Sequence, residues 1–316
     1  MDSQGRLLRA AGIVVLVVIA MLAVAGFRAN DRLFLSAGLN GLTTAALYFL
    51  VASGFSLIFG LLKNINLAHG SLYLLGAYLG ITVTDLTGSW ISGVLAGGLG
   101  AALVGLLLQV GIFRFLQGQD LRQALVTIGI SVVLADAMLW IWGSDIYQFD
   151  PPDWMYGSVA LPIVRGYPVY KLALIGMAIG VGVLLWLVLN RTALGVMIRA
   201  GVDDRGMLAC VGVNVQLVFA ATFAIGAALA GAGGVIGGSL MSIAPGEDTR
   251  YLLASLVVVI VGGMGSIVGT AVGALLIGLS EQYGLAYAPT YGVIFTFLIM
   301  TAVLAIRPQG IMGAAR

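Results

Sequence analysis

The chain has 316 residues, 60% of them hydrophobic and 9% charged, with a formal net charge of +2. Soluble domains carry about 25% charged residues, and a mean hydropathy of +1.09 would leave apolar side chains over most of a globule's surface. A soluble fold is therefore excluded, and the sequence reads as an all-α polytopic membrane protein. The small net charge and the lack of a basic run exclude nucleic-acid binding. One cysteine, Cys210, and one histidine, His69, exclude a disulfide framework and a Cys- or His-based metal site.

A helix needs about 20 apolar residues to cross the hydrocarbon. Charge-free or nearly charge-free windows predict about ten transmembrane helices, at 10–27, 35–60, 69–86, 90–113, 122–143, 168–190, 214–240, 251–264, 267–284 and 289–306. The segment 251–264 is short enough to be re-entrant, and Gly262-Gly263-Met264-Gly265-Ser266 separates it from the next helix. Residues 1–33 form a unit of their own with two readings. They are a retained span, or a signal, because Arg6 and Arg9 precede the apolar stretch and Ala23-Val24-Ala25 is like a cleavage site. Stripes of small residues, Gly226/Ala230/Gly234/Gly238 and Gly265/Gly269/Gly273, let helix backbones approach closely. The stretches 36–112 and 214–284 each place Gly-rich helices around a polar break, which suggests an inverted repeat.

Lys and Arg set the orientation. Arg191, Arg199 and Arg205 fall in 191–213, Arg114 and Arg122 in 114–122, and Arg307 and Arg316 in the tail. The segment 144–167 carries Asp145, Asp150 and Asp153 against Arg165 alone, with Tyr147, Trp154, Tyr156 and Tyr167. The expectation is that 144–167 faces outside and 191–213 the cytoplasm, with both termini cytoplasmic if 10–27 is retained. Arg28 and Arg32 then lie on the outer side, against the trend.

Catalytic signatures are missing. Neither Lys63 nor Lys171 follows a glycine, so there is no P-loop. Only Asp136 and Glu281 are embedded acids, a thin basis for the titratable relay of an ion-coupled carrier. Three polar features stand out. In Lys63-Asn64-Ile65-Asn66-Leu67-Ala68-His69-Gly70, an Asn can cap the following helix, or the stretch is a broken element beside a transport path. The long connection Arg191 to Asn214 interleaves charges with Met197, Ile198, Met207, Leu208 and Val211, as two short amphipathic helices would. Such helices either lie on the headgroups or dock on a partner. The third feature is Arg307-Pro308-Gln309-Gly310-Ile311-Met312-Gly313, where proline stops the last helix.

In this order, these features resemble the permease subunits of branched-chain amino-acid ABC transporters, the LivH type. The residues that carry the resemblance are Asn40-Gly41, Ile65 to Gly70, Arg199-Ala200 with Asp203-Asp204, Ala209 and Gly212-Val213-Asn214, Gly262 to Ser266 with Gly269, and Arg307 to Gly313. It covers about residues 34–313. Departures are the segment 10–27, which that subunit often lacks, and Gly201, where a bulkier residue is common. Permeases for urea, short amides and aromatic acids share the pattern.

The resemblance implies a transmembrane domain over 34–313 in a bacterial inner membrane. Its partners would be two cytoplasmic ATPases, a second permease that is a paralogue or another copy, and a periplasmic or extracellular substrate-binding protein. No cofactor and no catalytic residue are implied. The ATPases would act through the coupling segment 191–213, with Arg199, Ala200, Asp203, Asp204 and Arg205 at the rim of the contact and Met207, Leu208 and Val211 in it. Expected polar lining for an amino acid is Asn40, Thr43, Thr44, Asn66, His69 and Ser71, with no charged side chain in the path. The competing readings are an ion-coupled secondary carrier for a small solute and an ABC permease for urea or short amides.

Overall fold

A computed structural model describes residues 31–62, 66–160, 164 and 166–313. The expected helix at 10–27, together with Lys63, Asn64, Ile65, Arg165 and Arg316, lies outside the described residues, as do the side chains of Asp203 and Arg205. Among the described residues the structure is helical except for one small hairpin. The helices are α1 (Asp31–Leu62), α2 (His69–Thr87), α3 (Trp90–Gly111), α4 (Asp120–Trp142), α5 (Val169–Arg191), α6 (Ala193–Asp203), α7 (Arg205–Cys210), α8 (Val215–Gly238), α9 (Glu247–Gly262), α10 (Ile267–Tyr287) and α11 (Gly292–Ile306). In the hairpin, β1 (Ser158–Val159) pairs antiparallel with β2 (Tyr167–Pro168).

Local chemistry sets the boundaries. α2 stops at Gly88, whose φ of 68° is open to glycine and lets its N–H reach Thr84 O. Asn214 caps α8 by accepting from Leu217 N–H, and Ser266 caps α10 by accepting from Gly269 N–H. Between α9 and α10 the chain turns by 115°, through Gly263 at φ 110° and Gly265 at φ 82°. The break between the two helices thus falls at Gly262 to Gly265, where the glycines of the sequence predict it.

By length and apolarity, five helices among the described residues can each cross a membrane, and a sixth span is added if α9 and α10 count as one broken element. The sequence led to ten. α2 is not among the five, because His69, Ser71, two tyrosines, three threonines and Asp85 make it less apolar. Twelve of its residues, from His69 through Ile81, are buried, so it has less need to be soluble in hydrocarbon. The segment expected at 251–264 begins at Glu247 and ends at Gly262, which carries Glu247, Asp248 and Arg250 onto the helix.

Packing is dominated by α1 against α10 and by α3 against α8. α2 lies on α3 and α8, as α9 lies on α10 and α1, while α1 crosses α8 and α2 meets α9. These contacts run through bare glycine. A Cβ on Gly76 would stand 2.2 Å from Gly231 Cα, and one on Gly54 2.3 Å from Gly226 O. Gly226, Ala230, Gly234 and Gly238 are all buried, so the small-residue stripe is a packing face. Gly41 meets Leu279 while Gly60 meets Gly265, so α1 and α10 are antiparallel. α1 and α8 are antiparallel too, with Val51 against Gly233 and Ile58 against Gly226.

The bundle has two ends. α1 and α5 run side by side in the same direction, since Asn40 meets Lys171 and Phe49 meets Gly182. Leu62 and Arg191 therefore share one end with α6, α7 and the α9–α10 turn. The other end carries the β-hairpin and the segment 143–157. That segment is held by main-chain bonds between Tyr147 and Ile243 (2.9 and 2.7 Å) and by Phe149 N–H on Gly238 O (3.2 Å).

Candidate functional site

The expected lining residues fall into two groups. Near the hairpin end of α1, Asn40 Oδ1 accepts from Lys171 Nζ (2.7 Å), and Thr43 Oγ1 shares a hydrogen bond with Tyr167 OH (2.5 Å). Tyr167 OH also donates to Leu39 O (2.9 Å). Thr44 is half-buried on the same helix. The second group sits at the start of α2. Asn66 is buried and its Oδ1 accepts from Ala68 N–H (3.1 Å). His69 is fully buried, with Nε2 3.0 Å from Val51 O and its ring edge-on to Phe55. A carbonyl can only accept, so this bond keeps the imidazole proton on Nε2. Ser71 Oγ donates to Asp248 Oδ2 (3.2 Å).

Depth separates the two groups. At 1.5 Å per residue, Thr43 and Val51 are about 12 Å apart along α1, and Val51 is about 17 Å from Leu62. The hydrocarbon is about 30 Å thick, so the start of α2 lies near its middle. α9 begins at the same level, because a Cβ on Gly70 would meet Asp248 O at 2.0 Å.

Two of the sequence motifs come together at the Leu62 end. Ile311 N–H and Met312 N–H donate to Val261 O and Gly262 O (both 2.9 Å). Gly310 is pressed so closely on Gly263 that a Cβ would be 2.6 Å from its Cα. The motif Arg307 to Gly313 therefore closes over the α9–α10 break. Arg307 Nη1 donates to Ile311 O (2.6 Å) and fixes that turn.

The connection 191–213 folds into two short helices, α6 and α7. Thr192 Oγ1 caps the first from Gly195 N–H, and Asp204 Oδ1 caps the second from Gly206 N–H (2.8 Å) and Met207 N–H (3.0 Å). The Arg199 guanidinium ties α6 back to Leu189 O and Asn190 Oδ1, and Ala200 O accepts from Asp204 N–H. The three apolar residues expected to face a partner divide. Met207 and Val211 are exposed, whereas Leu208 is buried in the chain's own core with Ile198. A helix as short as α7 has one inward face, and Leu208 occupies it.

Sequence reasoning passed over a charged cluster. Tyr48 OH donates to Glu281 Oε2 (2.7 Å), and Arg250 Nη1 pairs with Glu247 Oε2 (3.4 Å). The Tyr73 and Tyr251 rings stack with centroids 4.0 Å apart, and the Arg250 guanidinium is 6.0 Å from the Tyr251 ring. Arg250 lies near enough to the Tyr48–Glu281 pair for their charges to be felt by one another. Glu247 and Arg250 lie just before the expected segment 251–264. The available signal was their i, i+3 spacing directly after Pro245-Gly246, where a helix can start.

A cavity of about 480 Å³ opens between α1, α5 and α10. Leu42, Phe49, Ile179, Trp186 and Leu275 are among its lining residues, all of them apolar. A zwitterion entering it would lose hydration with nothing in return, so this cavity is no path for an amino acid.

Comparison with known proteins gives a consistent result. The family model described as branched-chain amino acid transport system / permease component matches residues 38–304. The high-affinity branched-chain amino acid transport system permease protein BraD of Pseudomonas aeruginosa is 29% identical over 290 residues, covering 87% of this chain and 94% of its own. The permease protein LivH of the corresponding system in Escherichia coli is 27% identical over 303 residues, covering 89% and 96%. A probable LivH of Methanocaldococcus jannaschii is 27% identical over 288 residues, covering 84% and 89%. No solved structure matches the chain.

Proposed function

This chain belongs to the permease component family of branched-chain amino-acid transport systems, and on that premise we propose that it is one transmembrane subunit of an ATP-driven importer of branched-chain amino acids in the bacterial inner membrane. It supplies the path and is not itself an enzyme. Partner ATPases hydrolyse the ATP, and a substrate-binding protein delivers the amino acid on the side of the 143–168 segment. The match over residues 38–304 carries this reading.

Three features of the fold support the finer parts. The exposed Met207 on α7 and Val211 just after it suit docking of an ATPase, and the arginines of 191–213 support a cytoplasmic position for that end. The exchange of packing partners, α1 on α10 and α3 on α8 with α1 antiparallel to α8, is what an inverted repeat relating α1–α4 to α8–α11 would produce. The exposed face of α4 is Leu125, Gly129, Val132, Asp136 and Trp140, and Asp136 has no partner among the described residues. A carboxylate facing acyl chains is costly, about 2.5–3.5 kcal/mol at a helix centre, so we assign that face to the second permease and the aqueous path between the two subunits. Asn40, Thr43, Thr44, Asn66, His69 and Ser71 then support the wall of this path, several of them through backbone bonds.

Reconstitution tests the reading. Proteoliposomes holding this chain, its second permease and the ATPases should take up L-leucine only with ATP and the binding protein. Uptake by this chain alone on an ion gradient would overturn it in favour of a carrier.

A further inference from the structure

We infer that Arg250, Glu247 and Glu281 form a recognition site for an α-amino-acid zwitterion at the middle of the membrane, with the substrate carboxylate on Arg250 and its ammonium on Glu281 and Glu247. The inference rests on the permease reading above and adds to it the residues that hold the cargo. Depth is the first argument. Arg250 lies about 18 Å along α9 from Gly262, while Tyr48 and Glu281 each lie about 21 Å from the same end of α1 and α10. In a hydrocarbon layer about 30 Å thick, all three are well inside.

Exposure is the second. The Arg250 and Glu247 side chains are 50% and 28% exposed, and their contact is a single 3.4 Å approach. Ionised groups at such depth face a polar cavity or a ligand, because lipid would leave them unsolvated. Glu281 is half-buried and held by Tyr48 from one side only. The fourth charge nearby, Asp248, is buried and bonded to Ser71, so it belongs to the packing of α2 against α9.

The chemistry is the third argument. Two accessible carboxylates and one accessible guanidinium offer both signs within one cluster, which is the complement of an ammonium and a carboxylate on adjacent atoms. A simple amine would leave Arg250 unanswered, and a simple acid would leave Glu281 unanswered. The stacked rings of Tyr73 and Tyr251, both buried, lie beside Arg250 and fix the start of α9 against α2. Tyr48 is a positioning residue, since it acts through Glu281.

Nanodiscs holding the whole permease–ATPase complex without binding protein should bind radiolabelled L-leucine. The deaminated analogue 4-methylpentanoate and the decarboxylated analogue 3-methylbutylamine should each compete at least about tenfold less well than leucine, the effect of one lost charge-assisted contact. Arg250→Ala and Glu281→Gln should each weaken leucine by about tenfold or more, and Arg250→Lys should restore most of the loss. Co-purification of the partner subunits checks that each variant assembles. Competition by either analogue as strong as that of leucine itself, unweakened leucine binding in Arg250→Ala and Glu281→Gln, or no leucine binding in a complex that does transport leucine, overturns the site and leaves the permease reading standing. A wild-type complex that transports no leucine overturns the permease reading, and the site falls with it.

Discussion

Removing Met207 and Val211 together tests where the ATPase docks. Met207 is 66% exposed and Val211 76% exposed, whereas Leu208 between them in sequence is 7% exposed. Burying a side chain of this size fully contributes about 1.5–3 kcal/mol. Scaled by the exposed share, and with alanine keeping the Cβ, Met207→Ala with Val211→Ala should cost the complex about 2–3 kcal/mol, roughly 30- to 150-fold in affinity. Leu208→Ala should behave differently. It opens a hole under α7, so it should destabilise the permease itself by about 2–5 kcal/mol and lower its yield in the membrane. The assay titrates nanodisc-embedded permease with purified ATPase and reads the melting temperature of each permease variant alone. Unchanged ATPase affinity in the Met207/Val211 double variant would refute the docking assignment. So would loss of affinity in Leu208→Ala without loss of stability.

Two further outcomes follow from packing and orientation. A Cβ on Gly231 would lie 2.3 Å from Gly97 O and 2.4 Å from Ala101 Cβ, so Gly231→Ala should part α3 from α8 and cost about 1–3 kcal/mol. Thermal unfolding in detergent should show the loss, while Gly180→Ala, with nothing within 4 Å, should not. The native Cys210 is exposed and is the chain's one cysteine. In intact cells it should be shielded from an impermeant thiol reagent and should react in inverted vesicles, whereas Asp153→Cys in a Cys210→Ser background should be labelled from outside.

The sequence by itself determined the solvent, the element type and the family. With 9% charged residues, helices in lipid are the structure that satisfies the backbone. The helix limits read from charges and glycines fall close to those of α2, α3, α4, α5 and α8. The two short helices of 191–213 were legible because charged and apolar residues interleave there. Tertiary structure decided which face of each helix is inside. Leu208 and Met207 are both apolar and adjacent in the sequence, and only packing under α7 turns one in and leaves the other out. It also decided depth. Glu247 and Arg250 sit at the edge of an apolar window, and charge at an edge reads as a water interface. The 115° turn between α9 and α10, with α9 starting beside the middle of α1, brings that edge to the level of the middle of α1. Hydropathy along a chain measures the transfer of each residue to lipid, and it has no term for a helix whose surroundings are protein.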